Sequence, residues 1–198
     1  AAHTQWKEFM CQNLGATAGI NPFSPEAGNH GAKYQWGYNP ANSNVSDNRY
    51  LTQTNDQQYT GTPPAGWSNT TMPDGSWSDT NKTANDPCPS GYRVPTSAVW
   101  QAVVANNNVE RVGSWADNGN YTSALYFRNP SNVRTLMLPL AGYRYYADGT
   151  LLNRGSNGVY WSSSVSTSLA YYLDFISSSV YVNSSARTYG FSVRCVAE

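Results

Sequence analysis

Three cysteines (Cys11, Cys88, Cys195) and two histidines (His3, His30) are the only residues of their kinds in this chain, and covalent or metal chemistry would have to start from them. The cysteines match no zinc spacing and the histidines sit far apart, so no metal site is expected. Catalysis needs a nucleophile, an acid, a base or a metal brought to one point. Neither histidine has a Gly-framed Ser or Cys partner, and the two carboxylates towards the C-terminal end, Asp148 and Asp174, sit in no motif that pairs them. No enzyme activity and no cofactor are therefore expected. What remains for the cysteines is a disulfide. The rigid Pro87-Cys88-Pro89 turn and the final strand suit a bridge from Cys88 to Cys195 that closes a long loop, with Cys11 left reduced. The rival pairing is Cys11 to Cys195 across adjacent strands.

Non-covalent recognition is the other chemistry open to these residues, and it concentrates in residues 138–196. Between Tyr143 and Ala197 there is no Lys, Glu, Gln or Met, although residues 1–142 contain three Lys, three Glu, seven Gln and three Met. At that density about six would be expected there. Ser, Tyr, Asn, Thr, Asp, Ala, Val, Leu and Ile replace them. They surround three islands: Leu138-Pro139-Leu140-Ala141-Gly142, Tyr160-Trp161-Ser162-Ser163-Ser164 and Gly190-Phe191-Ser192-Val193-Arg194-Cys195-Val196. The whole chain carries 15 Tyr and 7 Trp. Tyr gives a large, stiff contact area and a hydroxyl at low entropic cost, so Tyr with Ser, Asn and Gly is the composition of recognition loops.

The islands and the missing residue types together resemble the C-terminal variable region of diversity-generating-retroelement variable proteins. In that family a template's adenines are mutated during reverse transcription. AAC or AAT codons then become Asn, Ser, Thr, Ile, Tyr, Asp, Gly, Ala, Val, Phe, Leu and a few others, and Lys, Glu, Gln, Met and Trp cannot arise from them. The resemblance implies an α+β, C-type-lectin-like fold with short twisted antiparallel strands, one clear helix and long irregular loops. It implies a single domain over 1–198, with 39–89 as a long ordered loop or insertion and 138–196 as the variable ligand-binding region. The pieces Asn13-Leu14-Gly15-Ala16 and Tyr34-Gln35-Trp36-Gly37 are similar to the start of another lectin-like family of bacterial surface proteins, the Fibrobacter major paralogous domain. That gives the alternative reading, a bacterial surface or fimbrial module with a fixed partner. Two related chemistries are missing from the sequence. Formylglycine-generating enzymes use two close cysteines near the C-terminus, and calcium-binding animal lectins use Glu-Pro-Asn or Gln-Pro-Asp with Trp-Asn-Asp. Here Trp161 is followed by Ser162-Ser163.

The composition sets outer bounds. At 198 residues the chain is long enough for a real core. Its formal net charge of zero lacks the basic surplus that nucleic acid or anionic membrane would require. No apolar run approaches the roughly 18 residues of a membrane span, so no direct membrane insertion is expected. The expected partner is a protein or cell-surface ligand, and the expected location is the cell surface, the secreted fraction or a virion. Ala1 is not a Met and no signal-peptide pattern follows it, so the start of the chain is silent on export.

The elements that must position the surface read as follows. An opening strand lies within Trp6 to Asn13, adjacent to Phe191 to Val196. The 39–89 stretch is rich in Asn, Thr, Ser and turn signals such as Pro73-Asp74-Gly75, yet Tyr50, Tyr59, Trp67 and Trp77 pin it as ordered chain. Thr96 caps a helix whose apolar face is Val99, Trp100, Val103 and Val104 and which ends near Asn106 to Asn108. Strands follow at Tyr121 to Phe127, Thr135 to Leu140, Val159 to Ser163, Ala170 to Ile176, Val180 to Val182 and Phe191 to Val196. Period-two alternation buries Tyr171, Leu173 and Phe175 and exposes Tyr172, Asp174 and Ile176. Alternation and the permitted residue types then select fourteen outward positions outside the islands. These are Tyr143, Tyr145, Tyr146, Leu152, Val159, Thr167, Ser168, Leu169, Tyr172, Asp174, Ile176, Tyr181, Asn183 and Tyr189. Trp161, Phe175, Phe191 and Val193 are expected to be buried scaffold. Five Asn-X-Ser/Thr sequons, at Asn44, Asn69, Asn81, Asn120 and Asn183, are near chance in so Asn- and Ser-rich a chain and receive no role.

Overall fold

Short runs of β-branched and aromatic residues between Gly, Asn and Ser clusters give this chain many brief strands. The computed structural model describes residues 6–42, 48–64 and 66–198; His3 and the Asn44 sequon lie outside the described residues. In chain order the elements begin β1 (Lys33–Gln35), β2 (Tyr50–Leu51), α1 (Gln53–Gln58), β3 (Tyr92–Arg93), α2 (Ser97–Asn106) and β4 (Asn108–Val112). Next come β5 (Ala124–Arg128), β6 (Arg134–Pro139), β7 (Tyr143–Arg144), β8 (Leu151–Leu152) and β9 (Gly158–Ser166). The chain closes with β10 (Leu169–Phe175), β11 (Val180–Ala186), β12 (Gly190–Phe191) and β13 (Val196–Ala197). Four antiparallel sheets result, in the orders β2-β1-β12-β7-β8, β11-β10-β9, β4-β5-β6 and β13-β3.

The expected α+β lectin-like fold is corrected by this arrangement. The chain is mainly β: among the described residues the α-helices are one of six residues and one of ten, a 3-10 turn spans Ala27–Asn29, and antiparallel strands carry the rest of the regular structure. The abundance of Asn, Ser and Thr, which compete with the helix backbone for hydrogen bonds, leaves few stretches able to sustain a helix. The ten-residue α2 is where the sequence placed a helix. Thr96 Oγ1 accepts from Val99 N, and Asn106 and Asn107 side chains donate to the carbonyls of Ala102 and Val103, ending the helix where the three Asn begin. The short α1, capped by Thr52, and β4 were not anticipated, because each lies in chain that reads as polar loop.

The islands converge. Asn13 donates to the Tyr160 hydroxyl and accepts from the Arg194 guanidinium, which also donates to the Met137 carbonyl. Trp161 donates to the Tyr34 carbonyl, and Trp36 donates to the Ser162 carbonyl. Ser163 and Ser164 are buried and donate to the two carboxylate oxygens of Asp79 at 2.6 and 2.7 Å. These segments act as scaffold: apart from the exposed Asp79, the side chains in these bonds are buried, and each bond ties an island to chain outside it. The segment from Phe9 to Leu14 runs beside the last island, through one isolated bridge instead of the expected opening strand. Met10 N donates to Cys195 O, Leu14 N to Val193 O, and Phe9 bridges Val196.

Two rings anchor the described part of residues 39–89. Trp67 and Trp77 are buried, and their indoles donate to the carbonyls of Thr188 and Asn85. This segment also delivers Asp56 into a buried charge cluster. Asp56 accepts from Lys33 at 3.2 Å, Arg144 at 2.8 Å and Arg154 at 3.3 Å, and its backbone carbonyl accepts from both arginines. Burial alone would raise the Asp56 carboxyl, but its three cationic neighbours outweigh that and hold it below the usual range. One anion serving three cations leaves positive charge in excess, and burial pushes Lys33 down to about 8.

His30 lies beside this cluster, buried, with its ring edge-on to Tyr121 at 4.9 Å. Burial first, then the charges of Lys33 and Arg154, push its pKa from 6.5 down to about 3, so the fold holds it neutral. The unfolded chain protonates it near 6.5, so its contribution to stability is full above that pH and is lost as pH falls towards about 3. Urea unfolding is expected to show stability falling below pH 6.5 at up to about 1.4 kcal/mol per pH unit. His30→Phe, which keeps a ring against Tyr121, should flatten the limb between pH 6 and 5, where most carboxylates have yet to titrate. An unchanged slope in that variant would exclude His30 as its source.

Candidate functional site

Strand β7 points Tyr143 to one side and Arg144 to the other, the ordinary alternation of a strand. Arg144 is fully buried and also donates to the carbonyls of Gly61 and Gly149, so the 39–89 segment anchors the strand that carries Tyr143. The hairpin from β7 to β8 then projects Tyr145 and Tyr146. It closes through Tyr145 N to Thr150 O, Gly149 N to Tyr145 O and the Asp148 carboxylate accepting from Thr150 N. Gly149 has φ +74, and a Cβ there would lie 2.9 Å from the Trp67 side chain, so both conformation and packing demand glycine.

An aromatic ladder runs inward from this hairpin. Tyr145 and Tyr146 lie 4.5 Å apart, Tyr189 is 5.2 Å from Tyr146 and 5.7 Å from Tyr143, and Phe191 is 5.4 Å from Tyr189. Phe191 in turn packs on Tyr172 and Trp161 at 4.8 and 4.1 Å. The outer end of the ladder is solvent-facing, with Tyr146 41% exposed, and the inner end is core.

Asp174 lies on the adjoining sheet, paired with Val159 on β9 and Tyr181 on β11. Antiparallel partners share a face, so Asp174, Tyr172, Tyr181 and Asn183 project together. The half-buried carboxylate accepts from Asn157 Nδ2 at 2.8 Å, from the Tyr172 hydroxyl at 3.5 Å and from the Tyr181 hydroxyl. Burial raises its pKa, and those three hydrogen bonds only partly offset the effect. The Asp174 charge is felt at Tyr143 and Tyr181, whose hydroxyls are held above their usual range, and at Tyr172. All stay protonated near neutrality and can donate.

Of the fourteen expected outward positions, Tyr146, Thr167, Ser168, Ile176, Tyr181 and Asn183 are exposed. Tyr143, Tyr145, Leu152, Leu169, Asp174 and Tyr189 are half-buried. Two are corrected: Val159 is 3% exposed and Tyr172 9%. The β9–β10 pair lies between two cores, with Val159, Trp161, Ala170 and Tyr172 in one and Tyr160, Leu173 and Phe175 in the other, so both faces are covered. Tyr171, expected inside, is only half-buried, because the register shifts between Ala170 and Tyr172. Trp161, Phe175, Phe191 and Val193 are buried.

Nine of the fourteen gather around the tyrosine ladder and Asp174: the five Tyr at 143, 145, 146, 181 and 189, with Tyr172 and Val159 beneath, Asp174 itself and Asn183. Leu152 joins them as the β8 partner of Tyr143. Thr167, Ser168 and Leu169 do not. Thr167 and Ser168 form the β9–β10 turn, Leu169 opens β10 beside it, and roughly 17 Å of strand separates Leu169 from Asp174 at about 3.4 Å per residue. Ile176 lies at the opposite turn, where its carbonyl accepts from Arg111 of β4. Sequence reasoning missed Asn157 and Asn153, which donate to Asp174 and to the Tyr143 hydroxyl; an Asn in an Asn-rich loop carries no distinguishing signal.

Among the described residues no three His, Cys, Asp or Glu side chains converge as a metal site, and no helix is long and apolar enough to cross a membrane. A groove of about 810 Å³ lies elsewhere, between the N-terminal segment, α2 and β6, and is lined by Trp6, Phe9, Cys11, Phe23, Val103 and Met137 among others. None of the fourteen positions lines it. It lacks an acid–base pair or a buried polar group awaiting a ligand, whereas the tyrosine face has both rings and an unneutralised carboxylate.

Residues 115–196 match the family described as a domain of unknown function, DUF8237. The match spans less than half of the chain and contains the whole tyrosine face, the islands and Cys195. No curated protein and no solved structure matches the chain.

Proposed function

We propose that this chain is a non-catalytic ligand-binding or display protein whose C-terminal surface is diversified by adenine-directed retroelement mutagenesis. Its partner is a protein or cell-surface molecule that changes with the variant, and it acts at a cell or virion surface. The observation that carries the reading is the absence of Lys, Glu, Gln and Met between Tyr143 and Ala197, in the segment that supplies an outward cluster of tyrosines. Solubility would favour Lys and Glu on such a surface, not exclude them. Exposed apolar and aromatic side chains in one cluster, such as Tyr146 and Tyr181 at 41% and 43% exposure, mark an interaction site. The islands support the reading from the other side, because they are buried and joined by hydrogen bonds that a substitution would break.

A library randomised together at Tyr145, Tyr146, Tyr181 and Asn183, displayed and selected against several unrelated proteins, is expected to yield different binders from one scaffold. Each should stay within about 1 kcal/mol of the parent in urea unfolding, the scale of ordinary surface changes. Tyr172→Ala, which empties part of the core under Phe191, should instead cost about 3 kcal/mol or more. Loss of folding across the library, or a single target regardless of sequence, would favour the fixed-partner surface module.

A further inference from the structure

We propose that Asp174 and the tyrosines around it form a site for an arginine side chain presented by a partner protein. The inference rests on the binding-surface reading and adds the chemistry of one contact within it. Asp174 is half-buried, yet among the described residues it has no cationic partner; its neighbours are Asn157, Tyr172 and Tyr181. The chain satisfies its other well-buried carboxylates differently: Asp56 has three cations, and Asp86 has Lys82 and two backbone amides. A desolvated carboxylate left without a countercharge costs stability unless something supplies that charge on binding.

The ring environment specifies what supplies it. Tyr172 and Tyr181 flank the carboxylate through their hydroxyls, and Tyr143 lies close enough to feel its charge. Further negative charge comes from Asp117 beside Tyr143 and Asp148 beside Tyr145. The guanidinium of Arg144, on the same strand as Tyr143, is turned inward and occupied by Asp56. Aromatic faces and a carboxylate together attract a cation, and a planar guanidinium can stack on a ring while its N–H groups reach the carboxylate and phenol oxygens.

The test is a titration of the protein with N-acetyl-arginine methylamide and with its neutral isostere, N-acetyl-citrulline methylamide, followed by backbone amide chemical shifts. The arginine compound should give saturable shifts centred on residues 143, 174 and 181, at least tenfold tighter than citrulline. Asp174→Asn should weaken it about tenfold while raising the melting temperature, a combination that a purely structural Asp174 would not give. Tyr181→Leu, at an exposed ring, should weaken it severalfold without loss of fold. Equal binding of the two compounds, unchanged binding by Asp174→Asn, or shifts confined to other parts of the protein would overturn the site. If that happens while the randomised tyrosine library still yields binders, the arginine contact fails and the diversified surface stands.

Discussion

Asp56→Ala is expected to abolish stable folding or to cost at least 3 to 5 kcal/mol, the scale measured when one partner of a buried ion pair is removed. The substitution strands Lys33, Arg144 and Arg154 together, each almost wholly buried and each left facing like charge. It also loosens β7 and the segment entering β9, because Arg144 and Arg154 lose the Asp56 carboxylate and keep only backbone carbonyls there, so the tyrosine face should lose order with the cluster. Lys33→Met should cost far less. Asp56 keeps two guanidinium partners in that variant, and the ammonium removed is one that burial already disfavours. Urea unfolding of both variants checks the pair: similar losses, or a loss under about 1 kcal/mol for Asp56→Ala, would contradict a cluster organised on that carboxylate.

Cys88→Ala is expected to destabilise the protein by about 2 to 5 kcal/mol, with the upper part of the range favoured by the sequence separation of 107 between the bridged positions. The structure joins Cys88 to Cys195, with a Cα–Cα distance of 5.9 Å, and leaves Cys11 free and exposed. The bridge ties the edge of the 39–89 segment to the last island, next to Val193 and Val94 in the core. Reduction of the unmodified protein should lower the melting temperature as much as the substitution does, and Cys11→Ser should leave it unchanged. Peptide mapping without reductant that recovered a Cys11–Cys195 peptide would contradict this pairing.

The legible parts of the fold were those fixed by local chemistry. Thr96 and the valine and tryptophan spacing after it placed α2, the Pro-Cys-Pro turn pointed to Cys88, and Trp67 and Trp77 stood out as anchors in a polar stretch. Strand positions in 158–186 were readable within a few residues, but their facing was not. Alternation tells inside from outside only when one face of a sheet is wet, and β9–β10 is covered on both, so Val159 and Tyr172 are buried although their residue types suit a surface. The Asp56 cluster was invisible for another reason. Lys33, Asp56, Arg144 and Arg154 are scattered through the chain, and only the sheet order that sets β1 and β7 on either side of β12 brings them together. The fold class was misjudged because a resemblance carried by short islands does not fix how much helix lies between them.

The diversified surface is tested most directly by sequencing the DNA that flanks this gene. A reverse-transcriptase gene should lie nearby, with a near-identical copy of the segment encoding residues 138–196. The two copies should differ almost only where the second carries adenines, and those codons should include Tyr145, Tyr146, Asp174, Tyr181 and Asn183 while sparing the three islands. Flanking DNA with no such repeat, or a repeat whose differences fall on the codons for Trp161, Phe191 and Arg194, would contradict it and leave a surface module with one fixed partner.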